Sequence, residues 1–492
     1  MRARPNPKSL RCARRGSVLV IVLWIAFGLV SLALYFANSM NFELRASDNR
    51  VCALAADQAI DGAARYLNYL LATNAANGSN GVFVILSDAQ CQAVPVGEAR
   101  FWLIGRDTNT PVGPGRMCFG LVDEASKLNL NMAAINPVAA SNQLIWLPRM
   151  TVDLTQAILD WVNTNGTGPT VTYYAMQQPS SYQCKCEPFE TVDELRLLYG
   201  ADMDTLVGED ANRNGILDPN ETDDNQNGML DPGVLEYVTV YSREPNTNSD
   251  GTAKVNISSL TSASAQLLLT NFGTTRANEI LVNLGLGSSG GGGRSGAGGG
   301  GRGGVGGGGP GGSAGSSRST AGGGMATAKF ASPLQFYVTS KMTETEFALI
   351  ATNLTTTNGS YINGRVNVNT ASAAVLTCLL GGDTAGAQQL VNYRQANPNN
   401  LTSIAWVIDA LGQSYATDLQ ALEAGDFITT LSYQCTADIA AVGPYGRGYR
   451  RVKFVFDTSS GMPQIVYRQD LTHLGWALGK EVRQKLLSGK GT

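Results

Sequence analysis

The sequence predicts an α+β protein with a long N-terminal helix, an antiparallel sheet and a large inserted all-α domain. An uncharged run at 17–42 continues into residues with helical spacing, which indicates one continuous helix. Segments 98–104 and 116–123 are rich in aromatic and β-branched residues, as strands are. A basic residue, the pattern Val-Asn-hydrophobic, a run of small polar residues and two helices separated by a glycine turn occur at 254–281 and again at 365–391. This repeat predicts the inserted helical domain.

The uncharged run at 17–42 predicts a membrane span. About 20 apolar residues cross a bilayer as a helix, and Ser17–Ala37 meets that length. Six basic residues and no acid precede it, which predicts a cytoplasmic N-terminus with the bulk of the chain across the membrane. The apolar core of a cleaved signal peptide is shorter, about 7–15 residues. We therefore expect a single-pass anchor that is retained.

Apolar residues continue at helical spacing after the span and predict a helix that runs on into a folded domain. They are Leu44, Val51, Leu54, Ala55, Ile60, Ala63, Leu67 and Leu70. No proline lies between Pro7 and Pro95, so nothing in this stretch forces the helix to break. We expect half of the helix in lipid and half on a domain.

A single histidine and a local acidic cluster narrow the function classes. His473 has no nucleophile beside it, so histidine-based triads and most zinc sites are excluded and we expect no enzyme. A glycosidase with paired carboxylates stays open at this point. The net charge is −3, yet 202–236 alone contains ten acids and one arginine. This pattern excludes a basic nucleic-acid-binding protein and favours a cation site.

The glycine excess is confined to one segment. Of the 57 glycines, 23 fall within the 40 residues 285–324, which lie between the two helical repeats. We expect a flexible linker there. The repeats resemble helix-hairpin-helix or SAM-like units, which in many proteins bind nucleic-acid phosphates. Their glycine turns have no flanking Lys or Arg clusters, so we expect a protein-interaction domain and no nucleic acid.

The segment 210–221 matches the twelve-position loop that binds Ca²⁺ in EF-hands. The side chains at positions 1, 3, 5, 9 and 12 and the carbonyl at position 7 would be the ligands. They are Asp210, Asn212, Asn214, Asp218, Glu221 and the carbonyl of Ile216. Gly215 falls at position 6, where the loop bends sharply. Oxygen ligands without histidine or thiolate favour Ca²⁺ over Zn²⁺.

The same pattern begins again at Asp223, which predicts a possible second Ca²⁺ site. Its ligands would be Asp223, Asn225, Asn227, the carbonyl of Met229 and Asp231. Position 12 is Val234, so the closing glutamate is missing, and Glu236 could replace it only with a different backbone. Prolines within the loops and strand-like residues after them predict a loop-only element. A solvated acidic turn is the alternative for both loops.

The cysteines after the span lie in domains expected outside the cytoplasm, where disulfides persist. The spacing of Cys184 and Cys186 is too short for a relaxed bridge. We expect the pairs Cys91–Cys118 and Cys378–Cys435, although the sequence does not determine the connectivity.

The N-terminus resembles a prepilin-like leader: a basic segment, a glycine, and a hydrophobic helix that begins immediately, here ARRG followed by SVLVIVLW. The resemblance implies cleavage between Gly16 and Ser17 by a prepilin peptidase on the cytoplasmic face. Most pilins and pseudopilins carry glutamate at the fifth mature position, where it neutralises a neighbouring subunit's N-terminal amine. Ile21 stands there instead, as is characteristic of the K-type minor pseudopilin of type II secretion systems.

Further motifs are similar to those of the same family. They are LNLN at 128–131, ILDW at 158–161, PFETVDEL at 188–195 and RVNVNTA at 365–371. The resemblance implies a minor pseudopilin at the tip of the type II secretion pseudopilus, in the inner membrane with its bulk in the periplasm. It implies the I- and J-type minor pseudopilins, the prepilin peptidase and inner-membrane lipid as partners. A membrane-anchored extracytoplasmic calcium-binding adhesion or scaffold protein is the alternative.

These observations together predict the domain order. The segments are a leader at 1–16, the transmembrane helix at 17–37, the pseudopilin helix and first strands at 38–132, a helical domain at 133–284 with the calcium loops (209–236) and the first repeat, the Gly-rich linker at 285–324, the second helical repeat at 325–425, and the C-terminal strands and tail of a pseudopilin-like α/β domain at 426–492.

Overall fold

The computed structural model describes residues 17–108, 117–286 and 329–488. Gly16 of the predicted cleavage site and most of the predicted linker lie outside the described residues. The helices are α1 Ser17–Asn74, α2 Asp88–Cys91, α3 Met132–Ile135, α4 Pro137–Leu144, α5 Val152–Val162, α6 Met203–Val207, α7 Ser262–Asn283, α8 Pro333–Ser340, α9 Glu344–Ile350, α10 Ala373–Leu379, α11 Thr384–Ala396, α12 Trp406–Leu411, α13 Ala416–Glu423 and α14 Gly479–Leu487. The strands are β1 Val94–Val96, β2 Ala99–Ile104, β3 Val122–Asp123, β4 Leu128–Asn129, β5 Val238–Thr239, β6 Arg243–Pro245, β7 Val255–Asn256, β8 Leu354–Thr355, β9 Tyr361–Asn363, β10 Val366–Asn367, β11 Ile428–Thr429, β12 Gln434–Val442, β13 Arg450–Asp457 and β14 Gln464–Asp470.

Helix α1 is a single element of 58 residues, as its uncharged and then periodic sequence predicts. Its first part, Val18–Val51, is exposed at every position, and the uncharged start of this part, up to Phe42, is apolar and long enough to cross a membrane. The buried positions begin only at Cys52, so Leu44 and Val51 of the predicted apolar stripe are exposed, and Leu54 is exposed as well. The stripe was predicted too far towards the N-terminus, because helical periodicity does not show where the partner surface begins.

The second half of α1 packs on an antiparallel sheet of six strands formed by the described residues. Their order is β1–β2–β12–β13–β14, and β3 pairs with the start of β12 beside β2. Small residues on α1, including Ala56, Ala59 and Ala63, lie completely buried against the sheet. On the other face, β2 and β12 contact Ala477 and Leu478. Central strand β12 is therefore buried at all nine positions, including the polar residues Gln434, Thr436 and Asp438, which alternate with apolar ones in its first half.

The inserted part of the chain, between β3 and β12, consists of three similar units rather than the two predicted. Each opens with a basic residue, an apolar residue, asparagine and another apolar residue, and closes with an apolar residue and threonine. The openings are Lys127–Leu130, Lys254–Ile257 and Arg365–Val368, and they pair in parallel with Val238–Thr239, Leu354–Thr355 and Ile428–Thr429, respectively. The predicted all-α domain therefore contains short strands, and the inserted helices α3–α13 lie between their openings and closings.

Local hydrogen bonds explain the shared residues of the three units. In each opening, the asparagine side chain accepts the backbone N–H two residues later; the residues are Asn129, Asn256 and Asn367. In each closing, the threonine hydroxyl accepts the backbone N–H two residues later; the residues are Thr239, Thr355 and Thr429. These turns end each strand after two residues, as Asx- and ST-turns do.

The glycine turns of the predicted repeat are confirmed. Gly273 interrupts α7 with φ of 71°, and Gly381 and Gly382, also at positive φ, separate α10 from α11. Positive φ is accessible to glycine without the steric cost of a Cβ. The segments that flank 287–328 pack together, since Phe330 donates its N–H to the Ile257 carbonyl at 3.2 Å and Asn283 contacts the Ser340 carbonyl.

The predicted disulfides do not form. Cys91, Cys378 and Cys435 are buried thiols without a bridge. Cys378 lies on α10 in the core of the inserted domain, whereas Cys435 lies on β12 beneath α1. The sequence did not predict that these two cysteines belong to separate cores.

Candidate metal centre

The two acidic loops lie side by side between α6 and Gly233, and no residue from 209 to 231 is in a helix or strand. Their ends meet at a bridge between Gly208 and Pro232. A Cβ on Gly208 would lie 2.5 Å from the Asp231 carbonyl oxygen, and one on Gly233 would lie 2.3 Å from the Leu206 carbonyl carbon. Glycine is therefore required where the chain enters and leaves this element.

The first loop is folded around its own predicted ligands. The Asp210 carboxylate accepts the N–H groups at positions 5 and 6, at 2.9 and 2.8 Å. The amides of Asn212 and Asn214 both donate to Asp218 Oδ2, at 2.7 and 2.9 Å. Glu221, at position 12, accepts the N–H groups of positions 3 and 9 at 3.1 and 2.9 Å. Every predicted side-chain ligand of this loop thus takes part in one network, and the Ile216 N–H joins it through Asn214 Oδ1 at 3.0 Å.

The second loop repeats this geometry position by position. Asp223 accepts the N–H groups of Asn227 and Gly228 at 3.2 and 2.8 Å. The amides of Asn225 and Asn227 donate to Asp231 Oδ2, at 2.5 and 3.2 Å. The N–H of Met229 donates to Asn227 Oδ1 at 2.6 Å. Position 4 of each loop is left-handed, Arg213 at φ 56° and Gln226 at φ 58°. The two loops are therefore structural copies, although the second is more exposed.

Glu209 closes the second loop, a residue that the motif did not identify. Its carboxylate accepts the N–H of Asp224 at 2.8 Å and that of Asp231 at 2.9 Å, as Glu221 does for the first loop. The Glu209 side chain is fully buried, and Arg149 lies 3.6 Å away. The twelve-position motif that starts at Asp223 contains only residues that follow Asp223, whereas Glu209 precedes both loops. Glu236, the predicted substitute, is instead paired with Arg106 at 2.7 Å.

The predicted ligands are oxygen atoms, which suit a hard cation such as Ca²⁺. Their carboxylates do not meet at one point in this structure. Among the described residues, no three Asp, Glu, His or Cys side chains gather at one point. Asn212 is 6% exposed, and its Oδ1 has no hydrogen-bond partner while its amide donates within the loop. Burial raises the pKa of Asp210, and burial raises that of Glu221 to about 7. A bound Ca²⁺ would give Asn212 Oδ1 a partner and would neutralise the charge of Asp210 and Glu221.

The first loop is also the point where the inserted domain joins the sheet. Arg451 on β13 is completely buried and pairs with Asp438 on β12 at 2.6 Å. The same guanidinium donates to the carbonyls of Asn212 and Arg213 in the loop. Arg106, just after β2, also donates to the Arg213 carbonyl, at 3.0 Å. Two sheet arginines therefore hold the loop through its backbone.

The loop side chains contact the C-terminal segment as well. The amide of Asn212 lies 3.4 Å from the Trp476 carbonyl, and that of Asn214 lies 3.3 Å from the Ala477 carbonyl. The first loop therefore contacts both the sheet and the C-terminal segment.

The only histidine, His473, is exposed in the turn after β14.

Comparison with known proteins gives a match to a family and a similarity to a solved structure. Residues 366–423 match the sequence model of "Type II secretion system (T2SS), protein K". The chain is also similar to a chain of the crystal structure of the GspK-GspI-GspJ complex from the enterotoxigenic Escherichia coli type 2 secretion system. That similarity has 10% identity and a TM-score of 0.35, and it covers 84% of this chain and 97% of that chain. No curated protein matches.

Proposed function

We propose that this chain belongs to the type II secretion system protein K family, whose sequence model matches residues 366–423, and that it is the minor pseudopilin at the tip of the type II secretion pseudopilus. The observation that carries the proposal is α1. Its first half, Val18–Val51, is apolar at the start and exposed throughout, while its second half is buried on an antiparallel sheet. One half is therefore available to lipid and to neighbouring helices.

The residue at the fifth position after Gly16 supports the tip position. Ile21 is 57% exposed on α1 and cannot neutralise the N-terminal amine of another subunit. A subunit without that carboxylate has no charge partner to offer to the next subunit of a filament. The large inserted domain beyond the sheet also leaves little room for a subunit above it. Both features favour a chain that ends a filament.

We further propose that the chain is inserted in the inner membrane with a cytoplasmic N-terminus and a periplasmic bulk. The basic residues before Ser17 and the apolar start of α1 support this orientation. The proposed partners are the I- and J-type minor pseudopilins, the prepilin peptidase and membrane lipid. A structural role of this kind needs no catalytic site.

Processing tests the leader. Co-expression of the full chain with a prepilin peptidase should give a mature protein that begins at Ser17, because glycine leaves the peptidase unhindered access to the bond after residue 16. Gly16→Val should stay uncleaved, since a branched side chain obstructs that access. Intact-mass measurement of the purified protein distinguishes the two forms.

The matched control is Gly28→Ala, inside the span, where an added Cβ meets no atom within 4 Å. It should be processed like the wild type. A mature N-terminus other than Ser17, or cleavage of Gly16→Val at the wild-type rate, contradicts the leader assignment.

Co-purification tests the partners. The tagged full chain, solubilised from membranes that also contain the I- and J-type pseudopilins, should retain both after washing. A chain that binds Ca²⁺ but retains neither protein would favour the calcium-binding adhesion or scaffold function instead. Deletion of the gene should abolish secretion only if the pseudopilin proposal holds.

For the acidic loops, we propose that they bind Ca²⁺ and thereby keep the inserted domain in place on the sheet. Asp210, Asn212, Asn214, Asp218, Glu221 and the Ile216 carbonyl would hold the first ion. Asp223, Asn225, Asn227, Asp231, the Met229 carbonyl and Glu209 would hold a second. A bound cation supplies charge neutralisation for an acidic cluster that otherwise repels itself. Affinity near ~10⁻⁴–10⁻³ M, typical of extracellular modules, would suffice.

A further inference from the structure

The end of the domain nearest the membrane span carries exposed basic and aromatic residues. Cys52 is the first buried residue of α1, so the domain begins there. The turn between β12 and β13 lies against it: a Cβ on Gly443 would be 2.3 Å from the Cys52 carbonyl oxygen, and one on Gly448 would be 2.3 Å from its carbonyl carbon. This turn is therefore the part of the sheet closest to the apolar half of α1.

Helix α14 lies beside this turn. Its Val482 and Leu486 are partly buried on the core formed by Ala477 and Leu478. A Cβ on Gly446 would lie 3.6 Å from Leu486, so the C-terminal end of the helix touches the turn. The opposite face of α14 is exposed. Together, the turn and this face form the basal surface, which consists of Tyr445, Arg447, Lys480, Arg483 and Lys485.

The basal surface is positively charged. Its four basic side chains are accompanied by one exposed acid on α14, Glu481, and the exposed charges of α1 at 43–50, two acids and two arginines, balance one another. Arg450, at the start of β13, is already paired with Asp57 of α1 at 3.1 Å and adds no net charge. Tyr445 is 90% exposed and has a left-handed backbone with φ of 59°, which is uncommon for an aromatic residue. The fold thus keeps an aromatic ring in solvent next to a cluster of unneutralised cations.

The distance along α1 places this surface near the bilayer. Cys52 lies about 15 Å beyond Phe42, the end of the uncharged run, at the rise of an α-helix. The headgroup region extends about 5–8 Å beyond the hydrocarbon on each side, and charges act over about 8–10 Å at physiological salt. With the uncharged run in contact with the bilayer up to Phe42, the side chains of the basal surface are within electrostatic reach of the headgroups. Tyrosine is enriched at both membrane–water interfaces of membrane proteins.

We propose that the basal surface binds anionic phospholipid headgroups and makes a second contact between this protein and the bilayer, beside the α1 anchor. This inference rests on the proposed membrane insertion of α1. Anionic lipid attracts clusters of Lys and Arg that adjoin a span. Tyr445 contributes an amphipathic ring that suits the interface between lipid and water.

Photo-crosslinking of the full chain in lipid nanodiscs tests the proposal. Benzoylphenylalanine replaces Tyr445, Arg483, Met462 or Trp24 in separate variants, and the discs contain either neutral phospholipid or neutral with anionic phospholipid. Met462 is the matched control because it is 65% exposed in the turn between β13 and β14, at the other end of the sheet. Trp24 reports the anchor itself. Adducts are identified by mass as lipid or protein.

Positions 445 and 483 should give lipid adducts several-fold more often in the anionic discs, while position 462 gives none. Combining Arg483→Glu with Lys485→Glu should remove the adducts at 445. Adducts at Trp24 without any at 445 and 483 overturn the basal contact and leave the anchor intact. If position 24 gives no lipid adduct, the membrane insertion on which the proposal rests is overturned. Adducts at 445 to protein, or equal yields in neutral and anionic lipid, also overturn the proposal.

Discussion

Calorimetric titration of the full chain with Ca²⁺ should give two sites, and Glu209→Ala should remove one of them. Glu209 accepts two backbone N–H groups of the second loop at 2.8 and 2.9 Å, just as Glu221 does in the first. Each loop therefore has one glutamate carboxylate that can close a coordination shell, buried in Glu209 and half-buried in Glu221. Because the charge of the ligands sets the affinity of such loops, losing this carboxylate should weaken the second site beyond the millimolar range.

Three variants control this result. Glu221→Ala should remove the first site and leave the second, and Asp210→Ala should act in the same way. Glu236→Gln should leave both, because Glu236 is paired with Arg106 and not with a loop. Unchanged stoichiometry in Glu209→Ala, or loss of a site in Glu236→Gln, would show that the second loop is not closed by Glu209.

Arg451→Met should lower the free energy of unfolding by about 3–5 kcal/mol, the usual cost of breaking a buried ion pair. The substitution leaves Asp438 charged and buried without its partner at 2.6 Å. It also removes the donors to the carbonyls of Asn212 and Arg213, which hold the first acidic loop on the sheet. Urea denaturation of the full chain in detergent measures the change.

The neighbouring arginine is the matched control. Arg450 pairs with Asp57 where both side chains are substantially exposed, so Arg450→Met should cost less than about 1 kcal/mol. The double variant Arg451→Met with Asp438→Leu should be more stable than Arg451→Met alone, because no uncompensated charge remains buried. Equal losses at 450 and 451 would contradict the role given to Arg451.

The elements with strong local patterns could be predicted from the sequence. Helix α5 begins and ends at Val152 and Val162, as its apolar spacing predicts. Thr191 and Glu194, three residues apart, form a capping box, and the turn that follows is a 3-10 helix over Val192–Leu197. Local hydrogen bonds of this kind depend on residues three apart, so they can be recognised without knowledge of the fold.

The first of the three inserted units was not recognised. Its opening, Lys127–Leu130, has the same pattern as the two predicted repeats, but its closing strand at Val238–Thr239 follows the acidic loops. The repeat in the sequence was identified from helix–glycine–helix spacing. The pairing of two-residue strands distant in sequence carries too little local pattern to be detected.

The sequence by itself determined the anchor, the charge distribution and the two acidic loops, because each depends on residues close together along the chain. Only the tertiary structure decided that Glu209 serves the second loop, that Arg451 holds the first loop, and that α1 enters its domain at Cys52. It also decided that cysteines expected to pair lie in different cores. These are contacts between distant segments, and they arise from which surfaces are buried together rather than from any local preference of the backbone.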